Sequence, residues 1–341
     1  MNCEPDSYVV YDLKVKFGVR VPNMVGGSFP LNKQIDFGLV KDVALECEAL
    51  GYHSVWINDH VHKHILECWT TLSALATATE TIRLGTQVIC NTYRTPSLLA
   101  KMAATLDFIS NGRLEFGIGA GSNWDEQEHK AYGIPFPKPI DRIRQMEEAI
   151  EIMKRLWTED KASFKGRYYR IDEATCDPKP VQKPHPPIMV GGARPRLLRA
   201  VAKYADRCNL GHRTASIESY QRTLQVLKKQ CKRVGRDFDE LEESHYGDVV
   251  IRSNQEELRE EMKKWYLQRS EQVVPLQKDD LPFEDWLEKR ETDAIVGTPR
   301  ECLEKIEGYL NLGVTLFVFA FKDLPSREGI RLFAREIIPS L

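Results

Sequence analysis

Several familiar signatures are missing from the sequence. Its eight cysteines (Cys3, Cys47, Cys68, Cys90, Cys176, Cys208, Cys231 and Cys302) form no C-x-x-C pair and no paired framework. That excludes a disulfide scaffold and reads as free thiols, mostly buried, in a reducing cytoplasm. A surplus of one charge is also missing: 48 Lys and Arg face 50 Asp and Glu, a net charge of −2. No basic field is available to hold nucleic acid through its phosphates, although clustered basic residues could bind a small anionic ligand. No apolar run approaches the length needed to cross a bilayer. The start, "MNCEPDSYVVYDLK", lacks the basic-then-apolar order of a signal peptide.

What the chain does have is alternation. It holds 341 residues, 42% of them hydrophobic, enough for a large core. Short β-branched runs read as strands at 15–21, 54–57, 82–89, 112–121, 186–192, 206–211, 245–252 and 314–321. Longer amphipathic runs read as helices at 32–51, 68–80, 97–110, 141–157, 195–205, 216–235, 300–313 and 327–341. Residues 164–171 read as a small hairpin turning at Lys165-Gly166. Eight strands, each followed by helical sequence, favour an α/β fold: a closed (β/α)8 TIM barrel spanning 1–341 as one domain. An open doubly wound sheet is the alternative. Residues 262–293 are charged and irregular, and are expected to be an insertion in the strand-seven unit, in part helical, over the barrel mouth.

Chemistry in such barrels sits where strands end and helices begin. After the second strand comes "NDHVHKH". Its alternating His60, His62 and His64 admit a metal reading, but a barrel metal site needs further ligands from other strand ends. Only His212 and, with difficulty, Asp323 could supply them. No metal is therefore expected, and His62 and His64 read as solvated loop residues. Asp59 and His60 stand directly at the strand end, where an Asp beside a His can fix a tautomer or tune a proton donor. "QVICNTYRTP", after the third strand, reads as an ordinary connection. After the fourth strand, "GIGAGSNWDEQE" places glycines before an acidic helix start, where bare N–H groups could cradle an anion. After the fifth, "VGGARPRLLR" repeats the arrangement with Arg194, Arg196 and Arg199 alongside. Two glycine-lined helix starts on adjacent strands suggest an anionic cofactor lying across both.

In this order the segments "GYHSVWINDH" (51–60), "RLGTQV" (83–88), "LLAKMAATLDFISNGRLEFGIGAG" (98–121), "WDEQEHKAYGIPFP" (124–137), "YYRIDEATCDPKPVQKPHPPIMVGG" (168–192) and "VGTPRECLEKIEGYLNLGVTLFVF" (296–319) resemble the bacterial luciferase-like flavin superfamily. The resemblance is narrower to its oxidoreductases that use the deazaflavin coenzyme F420. It implies a luciferase-like (β/α)8 barrel with an insertion after strand seven, and a tricyclic ring in the barrel mouth. Asp59 and His60 would lie beside the ring, with His60 the proton donor or relay and Asp59 its orienting partner. A non-prolyl cis peptide at Gln87-Val88 would support the ring. Gly119, Ala120, Gly121 and Ser122 would approach its side chain and phosphate. Gly191, Gly192, Ala193 and Arg194 would hold the phosphate, with Arg196 near the tail. A homodimer is implied as well. Relatives acting on a sugar phosphate carry glutamate where this chain has Ser122, and many carry serine where it has Asn58. The expected function is hydride transfer between F420 and a small organic substrate. The alternatives are an FMN-dependent monooxygenase and a non-catalytic flavin-binding protein; the arginines favour the longer, more negative F420 tail over FMN. Arg20, Asn23, Trp56, His212 and the insertion are candidate substrate-lining groups by loop position.

Overall fold

The computed structural model describes residues 15–23, 36–61, 65–123, 125–211, 216–268 and 281–341. Its elements run β1 (Lys16–Arg20), α1 (Phe37–Ala49), β2 (Ser54–Ile57), α2 (Cys68–Ala78), β3 (Arg83–Thr86), β4 (Ile89–Cys90), α3 (Pro96–Ile109), β5 (Leu114–Gly119) and α4 (Asp125–Ala131). They continue as α5 (Pro139–Thr158), β6 (Ala162–Lys165), β7 (Arg170–Ala174), β8 (Ile188–Gly191), α6 (Pro195–Tyr204), β9 (Arg207–Gly211), α7 (Ile217–Val234) and β10 (Glu242–Ile251). The chain ends with α8 (Gln255–Gln268), α9 (Phe283–Asp293), β11 (Ile295–Gly297), α10 (Pro299–Leu310), β12 (Val314–Phe321) and α11 (Glu328–Glu336). The helix boundaries follow local chemistry. Asp36 caps α1 by accepting from the Gly38 amide, and Thr298 with Glu301 forms a capping box on α10. Proline opens α3, α5, α6 and α10, where a missing N–H costs nothing. Gly235 ends α7 in the left-handed conformation.

The sheet runs β10-β12-β1-β2-β3-β5-β8-β9 and closes through a β9–β10 pairing, with β4 continuing the β3 position against β5. All these pairings are parallel, so the sheet is a closed eight-stranded barrel ringed by helices. The main apolar core lies between barrel and helices. A second cluster, of Trp56, Met189, Tyr246, Leu316, Val318 and Ala320, fills the barrel itself. Trp56 is wholly buried there, and its indole N–H donates to Ser54 Oγ at 2.8 Å. Glycines make the room: a Cβ at Gly85 would stand 2.2 Å from the indole ring, and one at Gly18 2.5 Å from its nitrogen. Trp56 is thus a barrel plug, and not the substrate contact expected from its position. At the N-terminal end of the barrel, Arg83 and Arg207 both bind Glu115, and Arg207 and Lys16 both bind Glu242.

Three local readings change. The hairpin is present, but its strands are Ala162–Lys165 and Arg170–Ala174, so its turn lies beyond Lys165. The seventh barrel strand begins at Glu242, three residues ahead of the expected start. β11, with no counterpart in the sequence reading, pairs with Val249, Val250 and Ile251 on the part of β10 that outruns β9. The described parts of 262–293 are helical: the helix of Gln255–Gln268 reaches into them, and Phe283–Asp293 packs on it through Trp265, Trp286 and Met262. A mainly charged sequence hides this small core, because its few apolar residues are widely spaced.

Candidate active site

Barrel strands deliver their last residues to one rim, and the chemistry-bearing side chains collect there. Asp59, two residues past β2, is 3% exposed. It accepts both arms of the Arg94 fork, at 2.8 and 2.9 Å, and the Cys90 amide at 3.0 Å. Arg94 also reaches Glu67 at 2.8 Å. Burial pushes the Asp59 carboxyl up, and the Arg94 fork opposes that rise. Asp59 therefore locks the end of β2 to β4, and its oxygens are spent on that task.

The partner of His60 is a different acid. His60 Nδ1 lies 3.1 Å from Glu128 Oε2 and 3.9 Å from Asp125 Oδ1, both on α4, and about a third of its side chain (34%) is exposed. Glu128 also accepts the Val61 amide. Burial lowers the His60 pKa, but Glu128, Asp125 and Asp59 together carry it above its ordinary value. The same pairing holds Glu128 down, to about 2, against the effect of its own burial. The expectation that Asp59 orients His60 thus gives way to an ion pair with Glu128. Behind it, buried His129 bridges the Asp125 carbonyl and Thr92 Oγ1, each at 2.6 Å, fixing α4 to the β4 connection. The "NTY" stretch is therefore part of the site's support, not a plain connection. His60, Asp125 and Glu128 bring metal-type donor atoms within 4.8 Å of one another. Those atoms already bond: Glu128 to His60 and Val61, Asp125 Oδ2 to the Ser122 amide at 2.6 Å. His62, His64 and His212 lie outside the described residues. Asp323 is taken by Arg252 and the Gly329 amide.

The same rim carries a floor with few side chains. Strand three breaks between β3 and β4 at a cis Gln87-Val88 peptide, the bond named by the family resemblance. Val88 lies among glycines: built Cβ atoms at Gly119, Gly117 and Gly191 would stand 2.7, 3.1 and 3.4 Å from its methyl groups. Both side-chain amide atoms of Gln87 are buried without a hydrogen-bond partner, a condition that costs free energy unless a ligand satisfies them. At β8, Gly191, Gly192 and Ala193 lead to Arg194, which is exposed and gives α6 no side-chain cap. The first amides of α6 therefore remain available to an anion. The strand-four loop differs. The Ser122 amide is occupied by Asp125, and buried Arg142 donates to the Ala120 carbonyl at 2.9 Å and to that of Gly121 at 3.5 Å. Gly119, Ala120 and Gly121 thus give shape and close approach more than bare donors. A flat anionic ring system with a negatively charged tail fits these features: an open glycine floor, an orphaned amide, and an uncapped helix start.

Across the mouth, β1, β10 and β12 present polar groups. Arg20 bonds the Tyr246 hydroxyl, and Lys322 pairs with Asp248 at 2.6 Å. Asn23, another proposed lining group, is 1% exposed and ties the Asn58 and Leu66 carbonyls at 3.0 and 3.2 Å. It holds two loops together. Glu128, Arg94 and Arg142 escaped the sequence reading. Each acts through a partner more than 20 residues away, a distance no local pattern reports.

The chain is 27% identical to an F420-dependent glucose-6-phosphate dehydrogenase of Microbacterium testaceum, covering 96% of this chain and 98% of that one. It is 26% identical to an FMNH2-dependent dimethylsulfone monooxygenase of Pseudomonas putida, covering 95% and 94%. Its fold matches that of an F420-dependent secondary alcohol dehydrogenase in complex with an F420-acetone adduct, with a TM-score of 0.75 at 21% identity over 95% and 98% of the two chains. The family model of the luciferase-like monooxygenases matches residues 15–316. The first seven barrel strands, the broken third strand and the strand-end glycines thus fall within one matched span, and the chain belongs to the luciferase-like monooxygenase family.

Proposed function

We propose that this chain is an F420-dependent oxidoreductase acting on a small organic substrate, as part of a cytoplasmic homodimer. The observation that carries the reading is the ion-paired, partly exposed His60 on the same barrel rim as the glycine floor around Val88. F420 relatives that cover nearly the whole chain support the choice of cofactor. No described helix is long and apolar enough to cross a membrane.

When bound, a deazaflavin supplies a hydride donor or acceptor at one ring carbon. The chain's own residues do the rest. Val88 and the glycines around it would bear the ring, the Gln87 amide would be available to its polar groups, and Gly191, Gly192, Ala193 and Arg194 would take the phosphate. Gly119, Ala120, Gly121 and Ser122 would line its approach. Arg94 keeps Asp59 in place, and Asp59 keeps the end of β2 beside β4. Glu128 holds the Nδ1 proton of His60, so proton exchange with a substrate oxygen or nitrogen falls to Nε2.

A panel of alcohols and hydroxy acids, screened for loss of F420 absorbance, tests the reading. Turnover with any member in wild type, lost in His60→Ala, supports it. Turnover unchanged in His60→Ala removes that residue from the mechanism. FMN is the second reading, favoured by the Pseudomonas putida relative. It predicts oxygen consumption with reduced FMN and none with reduced F420.

A further inference from the structure

The wall opposite the glycine floor carries more positive than negative charge, and this deepens the reading above by naming a substrate class. Arg20 is the last residue of β1. Its Nη1 donates to the hydroxyl of Tyr246, a member of the cluster inside the barrel, and its guanidinium carbon lies 5.5 Å from that ring's centroid. Arg20 therefore points into the barrel, not outward. Lys322 follows β12 at 7% exposure, its ammonium bonded to Asp248 and 5.1 Å from the Trp265 ring. That pair balances itself. Arg20 is different: among the described residues, no carboxylate lies within ion-pairing distance of it, and its one polar partner is a neutral phenol.

A guanidinium has five N–H donors in a planar fork that matches a carboxylate. Tyr246 engages one of its nitrogens and fixes the fork's direction. A half-buried arginine without a counter-charge would be more stable with an anion beside it. We propose that Arg20 anchors a carboxylate on the substrate, holding that end against the β1–β10 wall while the reacting carbon lies toward the floor at Val88. Tyr246 is then a positioning residue for Arg20. Asp248, by neutralising Lys322, leaves Arg20 as the charge that selects.

The test uses benzoate and benzamide, a pair of like shape and different charge. Each is titrated into F420-loaded and into cofactor-free protein, with binding read by ligand-observed NMR. Wild type should bind benzoate at least roughly tenfold more tightly than benzamide, the size of a charge-assisted hydrogen bond. Arg20→Gln should bring the two affinities together, and Tyr246→Phe, which keeps the charge and frees the fork, should lower the preference partway. The F420 dissociation constant of Arg20→Gln, if equal to wild type, shows the barrel intact. If that variant fails to fold, Arg20→Lys, which keeps the charge and loses the fork, should show a reduced preference. Equal binding of both probes by wild type, or an undiminished preference in Arg20→Gln or Arg20→Lys, overturns the proposal. Absence of F420 and FMN binding would instead sink the cofactor reading, and the cofactor-free titrations would still decide the role of Arg20.

Discussion

A single histidine shows how far local sequence reaches. Asp59-His60 stands out because two titratable groups follow a strand directly, and the structure does put both at the barrel rim. The acid that holds His60, however, is 68 residues further on. It sits on a helix of seven residues, too short to announce itself by periodicity. Replacing Glu128 by Gln should lower the His60 pKa, measurable by NMR titration of the imidazole. The signs also predict stability. His60, raised above its ordinary 6.5, contributes fully below that value and loses the contribution as pH rises through its folded pKa. Glu128, lowered from 4.5 to about 2, contributes fully above 4.5 and loses it as pH falls toward 2. The melting-temperature gap between wild type and Glu128→Gln should therefore be widest between pH 4.5 and 6.5 and shrink on either side. A gap independent of pH would contradict the ion pair. His60→Ala should cut turnover by roughly 10²-fold or more while leaving the F420 dissociation constant nearly unchanged.

Among the elements, the strands were the most legible, because eight apolar runs recur between amphipathic ones. Their ends were less so. The sequence reading could mark glycines at 119 and 191 but not what they make room for, which is Val88 from a neighbouring strand and, in the barrel's middle, Trp56 against Gly85. These contacts separate two kinds of glycine. Gly85→Ala would force a Cβ to 2.2 Å from the Trp56 ring and should cost about 1–3 kcal/mol in thermal or urea unfolding. Gly191→Ala places its Cβ 3.4 Å from Val88, an ordinary contact. It should melt like wild type, whereas Gly191→Val should fill the floor and weaken cofactor binding without a comparable loss of stability. The two late helices were obscured for the opposite reason: charge dominates their sequence, and their apolar residues meet each other instead of the main core.

For the whole molecule, barrel closure divides labour between its two ends. The N-terminal end holds an ion network of Arg83, Glu115, Arg207, Glu242 and Lys16, in which Glu115 and Arg207 are buried. It serves stability, as that face does in such barrels. Glu115→Gln leaves two guanidiniums without their shared anion. It should destabilise by roughly 3–5 kcal/mol with little change in cofactor affinity; a selective loss of cofactor affinity at unchanged melting temperature would contradict this division. The other end carries the chemistry, and its central claim is that the glycine floor between β3 and β8 holds the cofactor. Fluorescence titration of F420 into wild type and Gly191→Val tests that claim most directly. Wild type should bind saturably, and Gly191→Val, equally stable, should bind at least roughly tenfold more weakly. Equal binding by both proteins would contradict the account.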